Sequence, residues 1–167
     1  MIFRGKVHVL GDSVDTDVMV PGRYLSLSDP QEIAKHLFEE VDPGFVTRVK
    51  HGDILVAGTN FGAGSGREHA PLALKALGIG CIIANSFART FFRMAIDLGL
   101  PTITCPEAVA AASNGVLASV DTATGEILIG EQHFQTEPLP AFIREITEGG
   151  GLAPWVRAEV ARRRAAG

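Results

Sequence analysis

The sequence is poor in cysteine, in excess charge and in long apolar segments, and each shortage excludes a class of protein. Its two cysteines, Cys81 and Cys105, lie far apart without the C-x-x-C or Cys/His spacing of a metal site, so we expect buried, reduced thiols and no metal ligand. The net charge of −4 lacks the basic excess of a nucleic-acid-binding protein. No apolar run approaches the roughly 20 residues of a membrane span, and the N-terminus lacks a secretion-signal pattern. We therefore expect a cytoplasmic protein with no nucleic-acid or membrane partner.

The chain has enough apolar residues for a core of its own. Of its 167 residues, 46% are hydrophobic and 20% are charged, and we expect a single domain over residues 1–167. Strand and helix patterns alternate up to residue 105, which is typical of an α/β fold with parallel strand pairing. The predicted strands cover residues 5–10, 53–58, 79–84 and 101–105, and predicted helices cover residues 30–38, 70–77 and 86–98. Residues 116–120 and 126–129 flank a turn-rich segment and predict a C-terminal hairpin.

A glycine-rich segment, N-F-G-A-G-S-G-R-E-H-A, covers residues 60–70 and joins a predicted strand to a predicted helix. Its glycines permit positive φ and close approach of a ligand, so successive N–H groups can form an anion site at the helix N-terminus. Arg67 adds a forked cation that can hold a carboxylate at two points. The spacing also has a purely structural interpretation, because Ser65 and Glu68 match a capping box. The pattern alone leaves both interpretations open.

The better-known glycine-loop motifs do not explain this segment. A Walker phosphate loop needs Lys and then Ser or Thr after its last glycine, where this chain has Arg67 and Glu68. Glycines at alternate positions do not match the dinucleotide pattern G-x-G-x-x-G. A nucleophile elbow needs glycine two residues on either side of the serine, and Ala63 and Arg67 occupy those positions.

Three ordered segments resemble the small subunits of 3-isopropylmalate dehydratase and homoaconitase, in the aconitase superfamily. The glycine-rich segment resembles the active-site serine loop of these subunits. Residues 11–24, G-D-S-V-D-T-D-V-M-V-P-G-R-Y, and residues 85–101, N-S-F-A-R-T-F-F-R-M-A-I-D-L-G-L-P, resemble two further parts of them. The resemblance covers most of the first two thirds of the chain. It implies a three-layer β/β/α swivelling-domain sandwich with a mostly parallel sheet.

The resemblance also implies roles for individual residues. Ser65 matches the serine that acts as the catalytic base, and a glycine loop with an adjacent cation can stabilise its alkoxide. Thr16 and Asp17 match a Thr-Asp pair of the family's active site. Most relatives have a second serine where this chain has Gly66, so only a backbone N–H is available there. The substrate-binding residues implied in all are Arg67, Gly66, Gly64, Thr16, Asp17, Ser26, Leu27 and Arg23.

The loop after Tyr24 is expected to reach the variable group of the substrate. Relatives that accept an additional carboxylate commonly present an arginine in this loop, and Ser26 cannot supply that charge. Leu25 or Leu27 can instead offer apolar surface to an alkyl group. Arg23 is close enough in sequence to supply the charge if the loop turns the other way.

Two cysteines cannot build the [4Fe–4S] site of the superfamily, in which three cysteines hold the cluster. The resemblance therefore implies a separate large subunit that carries the cluster, with this chain inactive alone. The expected activity is that of a hydro-lyase small subunit in leucine biosynthesis, acting on isopropylmalate through isopropylmaleate. Homoaconitase, or another dehydratase of a 2-substituted malate, is the alternative within the class. A stand-alone anion-binding regulatory module is the alternative from a different class.

Arg89 and Arg93 lie one turn apart in a predicted helix and also have two interpretations. They are either a second anion contact or a charged helix face that docks a partner. The sequence favours neither.

Overall fold

The computed structural model describes residues 1–165 and places them in seven strands, eight α-helices and one short 3₁₀-helix. The strands are β1 (Ile2–Val9), β2 (Ile54–Ala57), β3 (Cys81–Ala84), β4 (Thr102–Thr104), β5 (Leu117–Asp121), β6 (Glu126–Ile129) and β7 (Gln132–Gln135). The helices are α1 (Thr16–Met19), α2 (Pro30–Ala34), α3 (Phe45–Arg48), α4 (His69–Leu77), α5 (Arg89–Leu98), α6 (Pro106–Ala111), α7 (Ala141–Glu148) and α8 (Leu152–Ala165). The 3₁₀-helix is Gly22–Tyr24. None of the helices in this part of the chain is long and apolar enough to cross a bilayer.

All seven strands form one mixed sheet in the order β4-β3-β2-β1-β5-β6-β7. The second half of β1 pairs in parallel with β2, beginning with Val7 opposite Ile54, and β3 and β4 continue the parallel half. The first half of β1 pairs in antiparallel with β5, and β6 and β7 complete the hairpin half. The predicted parallel pairing and the predicted C-terminal hairpin are both confirmed. Strand β1 belongs to both halves of the sheet, because it pairs with β2 and with β5.

Both faces of the parallel half are covered. Every residue of β2 and β3 is buried, as expected for central parallel strands. On one face, Leu55 belongs to a core cluster with α2, α4 and α5. On the opposite face, Val56 belongs to a second cluster that includes Val120 and Ile127 of the hairpin half. The antiparallel half of the sheet therefore packs over the face of the parallel half that is opposite α2, α4 and α5. Helices, parallel strands and antiparallel strands form the three layers of a β/β/α sandwich.

Two helices begin or end elsewhere than predicted. Helix α2 has the expected Asp29 cap and Pro30 start, but it ends at Ala34. Leu37 and Phe38 remain buried although they lie in turns, and Phe38 has a φ of 57°, which an α-helix cannot contain.

Helix α5 begins at Arg89 rather than at residue 86. The residues before it pair with the glycine-rich segment instead, because the Phe61 N–H donates to the Ser86 carbonyl at 3.0 Å and the Ala88 N–H donates to the Phe61 carbonyl at 2.9 Å. Backbone groups that pair across two loops in this way are not available to a helix.

The loops after β1, β2 and β3 meet at the carboxyl edge of the parallel strands. The Gly58 N–H donates to the Gly11 carbonyl at 3.1 Å, and the Asn85 N–H donates to the Gly58 carbonyl at 3.1 Å. This edge is where open α/β sheets generally bind ligands. The three segments that carry the family resemblance therefore converge in one place.

Candidate active site

The glycine-rich segment forms a loop at this edge and not the first turn of a helix. Helix α4 begins only at His69, with Glu68 at the N-cap position and no side chain capping it. Of the two interpretations, the capping box is therefore wrong, and Ser65 does not lie at a helix N-terminus. The cause is the loop backbone, since its three alternate glycines have φ of 81°, 85° and 67° and cannot extend the helix.

All three of these glycines are also required by their neighbours, and a β-carbon at Gly62 would lie 2.2 Å from Cγ of Phe91. A β-carbon at Gly64 would lie 2.1 Å from Oδ1 of Asp15, and one at Gly66 would lie 2.8 Å from Cγ2 of Thr90. The segment therefore packs between helix α5 and the acidic loop that follows β1 (residues 11–17) only because these positions lack a side chain.

The acidic loop is fastened directly to the glycine-rich segment. Asp15 caps α1 by accepting from the Asp17 N–H at 2.7 Å. The Thr16 N–H donates to the Ala63 carbonyl at 3.0 Å, and the Thr16 hydroxyl accepts from the Arg67 N–H at 3.4 Å. Thr16 is fully buried, so it contributes to the site by holding the two loops together.

Asp17 joins the two residues predicted to carry the chemistry. The Ser65 hydroxyl donates to Asp17 Oδ1 at 2.6 Å, and Arg67 Nε lies 3.0 Å from the same oxygen. The Ser65 side chain is exposed, as are 43% of the Asp17 side chain and 24% of the Arg67 side chain. The three groups thus form a connected cluster that is open to solvent on one side.

Several donors around this cluster have no acceptor within residues 1–165. The N–H groups of Gly62 and Ala63 both donate to the Val14 carbonyl, whereas those of Gly64, Ser65 and Gly66 bind no acceptor in that range. The Nη1 atom of Arg67 is also unpartnered in that range, and it is buried. A carboxylate placed beside Ser65 would find hydrogen-bond donors on the loop and on the guanidinium.

The sequence of this chain is similar to one protein family and to several proteins of known name. Residues 39–108 match the Aconitase C-terminal domain family. A 3-isopropylmalate dehydratase small subunit of Caldicellulosiruptor saccharolyticus is 51% identical over 162 residues, covering 96% of this chain and 94% of that protein. A protein named small subunit 1 of the same enzyme, from Methanopyrus kandleri, is 47% identical over 160 residues, covering 95% of this chain and 94% of that protein.

A crystal structure of 3-isopropylmalate dehydratase from Methanocaldococcus jannaschii superimposes with a TM-score of 0.90 at 39% identity, covering 100% of both chains. The chain belongs to the 3-isopropylmalate dehydratase small-subunit family. This is a hydro-lyase family related to aconitase, as the resemblance implied.

In this small subunit the segment 22–27, which includes the loop after Tyr24, meets the glycine-rich segment at two points. A β-carbon at Gly22 would lie 3.2 Å from Nη1 of Arg67, and Nε2 of His69 lies 3.3 Å from the Leu27 carbonyl oxygen. Sequence reasoning assigned no role to His69, although it lies within the glycine-rich segment. Ser26, which lies between these contacts in the sequence, is exposed.

Arg23 is held in a different set of contacts. Its guanidinium pairs with Glu39 and Glu40 and lies 4.8 Å from the centroid of the Tyr24 ring. The hydrogen bond with Glu40, followed by that with Tyr24, raises the pKa of Arg23. The Tyr24 hydroxyl also donates to Glu39 at 2.7 Å. These groups neutralise Arg23, and no contact brings it to Ser65, Asp17 or Arg67.

The residues of this small subunit do not fit an iron–sulfur cluster. Cys81 and Cys105 are both buried within the second core cluster, and burial raises the pKa of the Cys81 thiol, which opposes the thiolate that a cluster requires. Across residues 1–165, no group of three or more His, Cys, Asp or Glu side chains could hold a metal ion.

Proposed function

We propose that this chain is the small subunit of a 3-isopropylmalate dehydratase, which interconverts 2-isopropylmalate and 3-isopropylmalate through isopropylmaleate in leucine biosynthesis. The observation that carries the proposal is the cluster in which Asp17 binds Ser65 and Arg67 at 2.6 Å and 3.0 Å. The names of the relatives, which are about half identical over nearly the whole chain, support the same activity.

Ser65 is the group that moves the proton. Because its hydroxyl donates to Asp17, the lone pairs of Oγ face away from that hydrogen bond and are available to a substrate. In dehydration, Oγ takes the proton from the carbon next to a carboxylate while its own proton passes to Asp17. In hydration, the two transfers run in reverse. The dipole of α4 contributes little to this step, since the helix begins only at His69, four positions after Ser65.

Arg67 and the loop backbone bind the substrate carboxylate. Asp17 forms an ion pair with Nε of Arg67, and Nη1 has no partner within residues 1–165, so the guanidinium keeps a donor for a second anion. The unpartnered N–H groups of Gly64 and Gly66 add neutral donors at the same loop. Fixing a carboxylate here places the adjacent carbon within reach of Ser65, and positioning of this kind is a large part of enzymatic rate enhancement.

The second half of the active site belongs to a large subunit. The cluster around Ser65 is exposed, and nothing in it assists departure of the hydroxide. The chain's own cysteines do not fit a [4Fe–4S] cluster, so we assign that group to the large subunit. There it supplies a Lewis acid for the substrate hydroxyl.

The surroundings of Ser26 favour an alkyl-substituted malate over homoaconitase substrates. Arg23 is the cation nearest to Ser26 in sequence, and it is already paired with Glu39 and Glu40. A further carboxylate would lose its hydration without gaining a partner, which costs several kcal/mol. Leu25, whose exposed fraction is 43%, offers apolar surface instead.

Reconstitution with the large subunit from the same source tests the proposal. We expect the complex to convert 3-isopropylmalate with a higher kcat/KM than homoisocitrate, and each subunit alone to be inactive. Calorimetry on the isolated chain is the companion measurement. Micromolar binding of a dicarboxylate without a partner, together with an inactive complex, would overturn the proposal in favour of a stand-alone binding module.

A further inference from the structure

The N-terminal half of α5 carries an exposed surface that the proposed chemistry does not use. Arg89 and Arg93 are exposed, as is 38% of the Phe92 side chain, and we call these three residues the arginine face. Together with Ser86, Phe87 and Thr104 they line a surface depression of about 460 Å³.

The charges on this face are unfavourable in the isolated chain. Neither Arg89 nor Arg93 forms an ion pair within residues 1–165, although Arg23, Arg48 and Arg67 each pair with a carboxylate. Like charges four residues apart on a helix repel each other. Arg89 is also the first residue of α5, where the helix dipole disfavours a cation. An external anion at the arginine face would relieve both effects.

The arginine face is continuous with the candidate active site. The Phe87 ring packs at right angles to Phe61 of the glycine-rich segment, with centroids 6.3 Å apart, and it lies 5.9 Å from the Phe92 ring. Thr90, between the two arginines, lies directly against Gly66. A chain that covers the exposed cluster around Ser65 would therefore extend over this face.

We propose that the arginine face docks the large subunit, whose Asp or Glu side chains pair with Arg89 and Arg93 while an apolar side chain packs on Phe92. The inference rests on the proposed function, because that function requires a second chain over the site. Arginine and aromatic residues are enriched at protein interfaces, and complementary charges across an interface steer association. The large subunit is the occupant whose position the open cluster dictates.

The test is the affinity between the two subunits for the double variant Arg89→Glu/Arg93→Glu. Charge reversal should weaken assembly by at least about tenfold, because like charges facing each other across an interface are strongly unfavourable. Arg4→Glu is the matched control: Arg4 is exposed, forms no ion pair within residues 1–165, and lies in the amino half of β1, away from the carboxyl edge. It should bind like the wild type.

The neutral pair Arg89→Gln/Arg93→Gln, with unchanged unfolding, should weaken assembly less than the reversal and reduce its salt dependence. At saturating large subunit, kcat and KM of all these variants should match the wild type. Unchanged affinity in the reversal variant would overturn the proposal. A raised KM at saturating large subunit would also overturn it, because the arginines would then be substrate contacts. Loss of self-association of this chain in the reversal variant would overturn it as well, because the occupant of the face would then be a second copy of the chain.

The same experiments distinguish an error in the proposed function from an error in the proposed docking surface. A complex that assembles through this face but does not convert isopropylmalate would refute the proposed substrate and leave the docking surface standing.

Discussion

Replacing Asp17 with asparagine tests the role of the group that joins Ser65 to Arg67. Asn keeps the size of the side chain and an oxygen that can accept from the Ser65 hydroxyl, but it cannot take up a proton. It also leaves Arg67 without its carboxylate partner. We therefore expect kcat to fall by about 100-fold or more, the usual contribution of a positioned proton acceptor. The KM for isopropylmalate should stay the same or fall, because the freed guanidinium binds the substrate carboxylate at least as well.

The effect on folding should be small by comparison. The Asp17–Arg67 pair spans 3.0 Å, but 43% of the Asp17 side chain is exposed. Pairs this exposed contribute at most about 1 kcal/mol because water screens them. A 100-fold loss in turnover corresponds to about 2.7 kcal/mol of activation free energy, so the two effects are separable.

The assay is steady-state turnover of the reconstituted complex beside urea denaturation of the isolated chain. Asp17→Glu keeps the carboxylate on a side chain that is longer by one methylene. If Asp17 takes up the proton, this variant should have a higher kcat than Asp17→Asn. Near-normal kcat in Asp17→Asn would refute the proton relay, and a loss matched by global unfolding would reduce Asp17 to a structural role.

Three further predictions follow from local geometry. Gly64→Ala should lower the free energy of unfolding more than Gly115→Ala does, as measured by denaturant titration. Both glycines have positive φ, at 85° and 82°, but only a β-carbon at Gly64 would clash, with the Asp15 carboxylate that caps α1. Ser26→Arg should shift the ratio of kcat/KM values from 3-isopropylmalate toward homoisocitrate, and an unchanged ratio would remove this loop from substrate selection. Burial alone would raise the pKa of Asp53, but the hydrogen bonds from His8 and two backbone N–H groups outweigh burial and lower it. The folded-state pKa therefore lies below the unfolded value of about 3.9, so this stabilisation is complete above about pH 5 and lost as the pH falls. Asp53→Asn should accordingly flatten the pH dependence of the unfolding free energy below pH ~5.

The strands and their pairing were predictable because they follow from short-range patterns, whereas the three layers were implied by the family resemblance. The continuous apolar run in β2 predicts a strand buried on both faces, and the turn between β5 and β6 predicts a hairpin. The end of α2 was not predictable in this way. Leu37 and Phe38 continue the apolar spacing of that helix and are buried, so the pattern is satisfied although the backbone leaves the helix.

The residues of the candidate site could be named from the sequence, but the contacts between them could not. Ser65, Arg67 and Asp17 follow from the family resemblance, whereas the hydrogen bond between Ser65 and Asp17 spans 48 positions and depends on how two loops meet. The spacing of Ser65 and Glu68 is compatible with a capping box, and only the three positive φ angles of the loop exclude it. The orientation of Arg23 depends on the positions of Glu39 and Glu40, which local sequence does not specify.

The central claim is that Ser65 carries the proton in a site completed by a large subunit. The most direct measurement is turnover of 3-isopropylmalate by the reconstituted complex that contains Ser65→Ala, with Ser28→Ala as the control at another exposed serine. The account predicts a loss of turnover by about 100-fold or more, with assembly and unfolding close to those of the wild type and full activity in the control. Near-normal turnover of the assembled Ser65→Ala complex would contradict it.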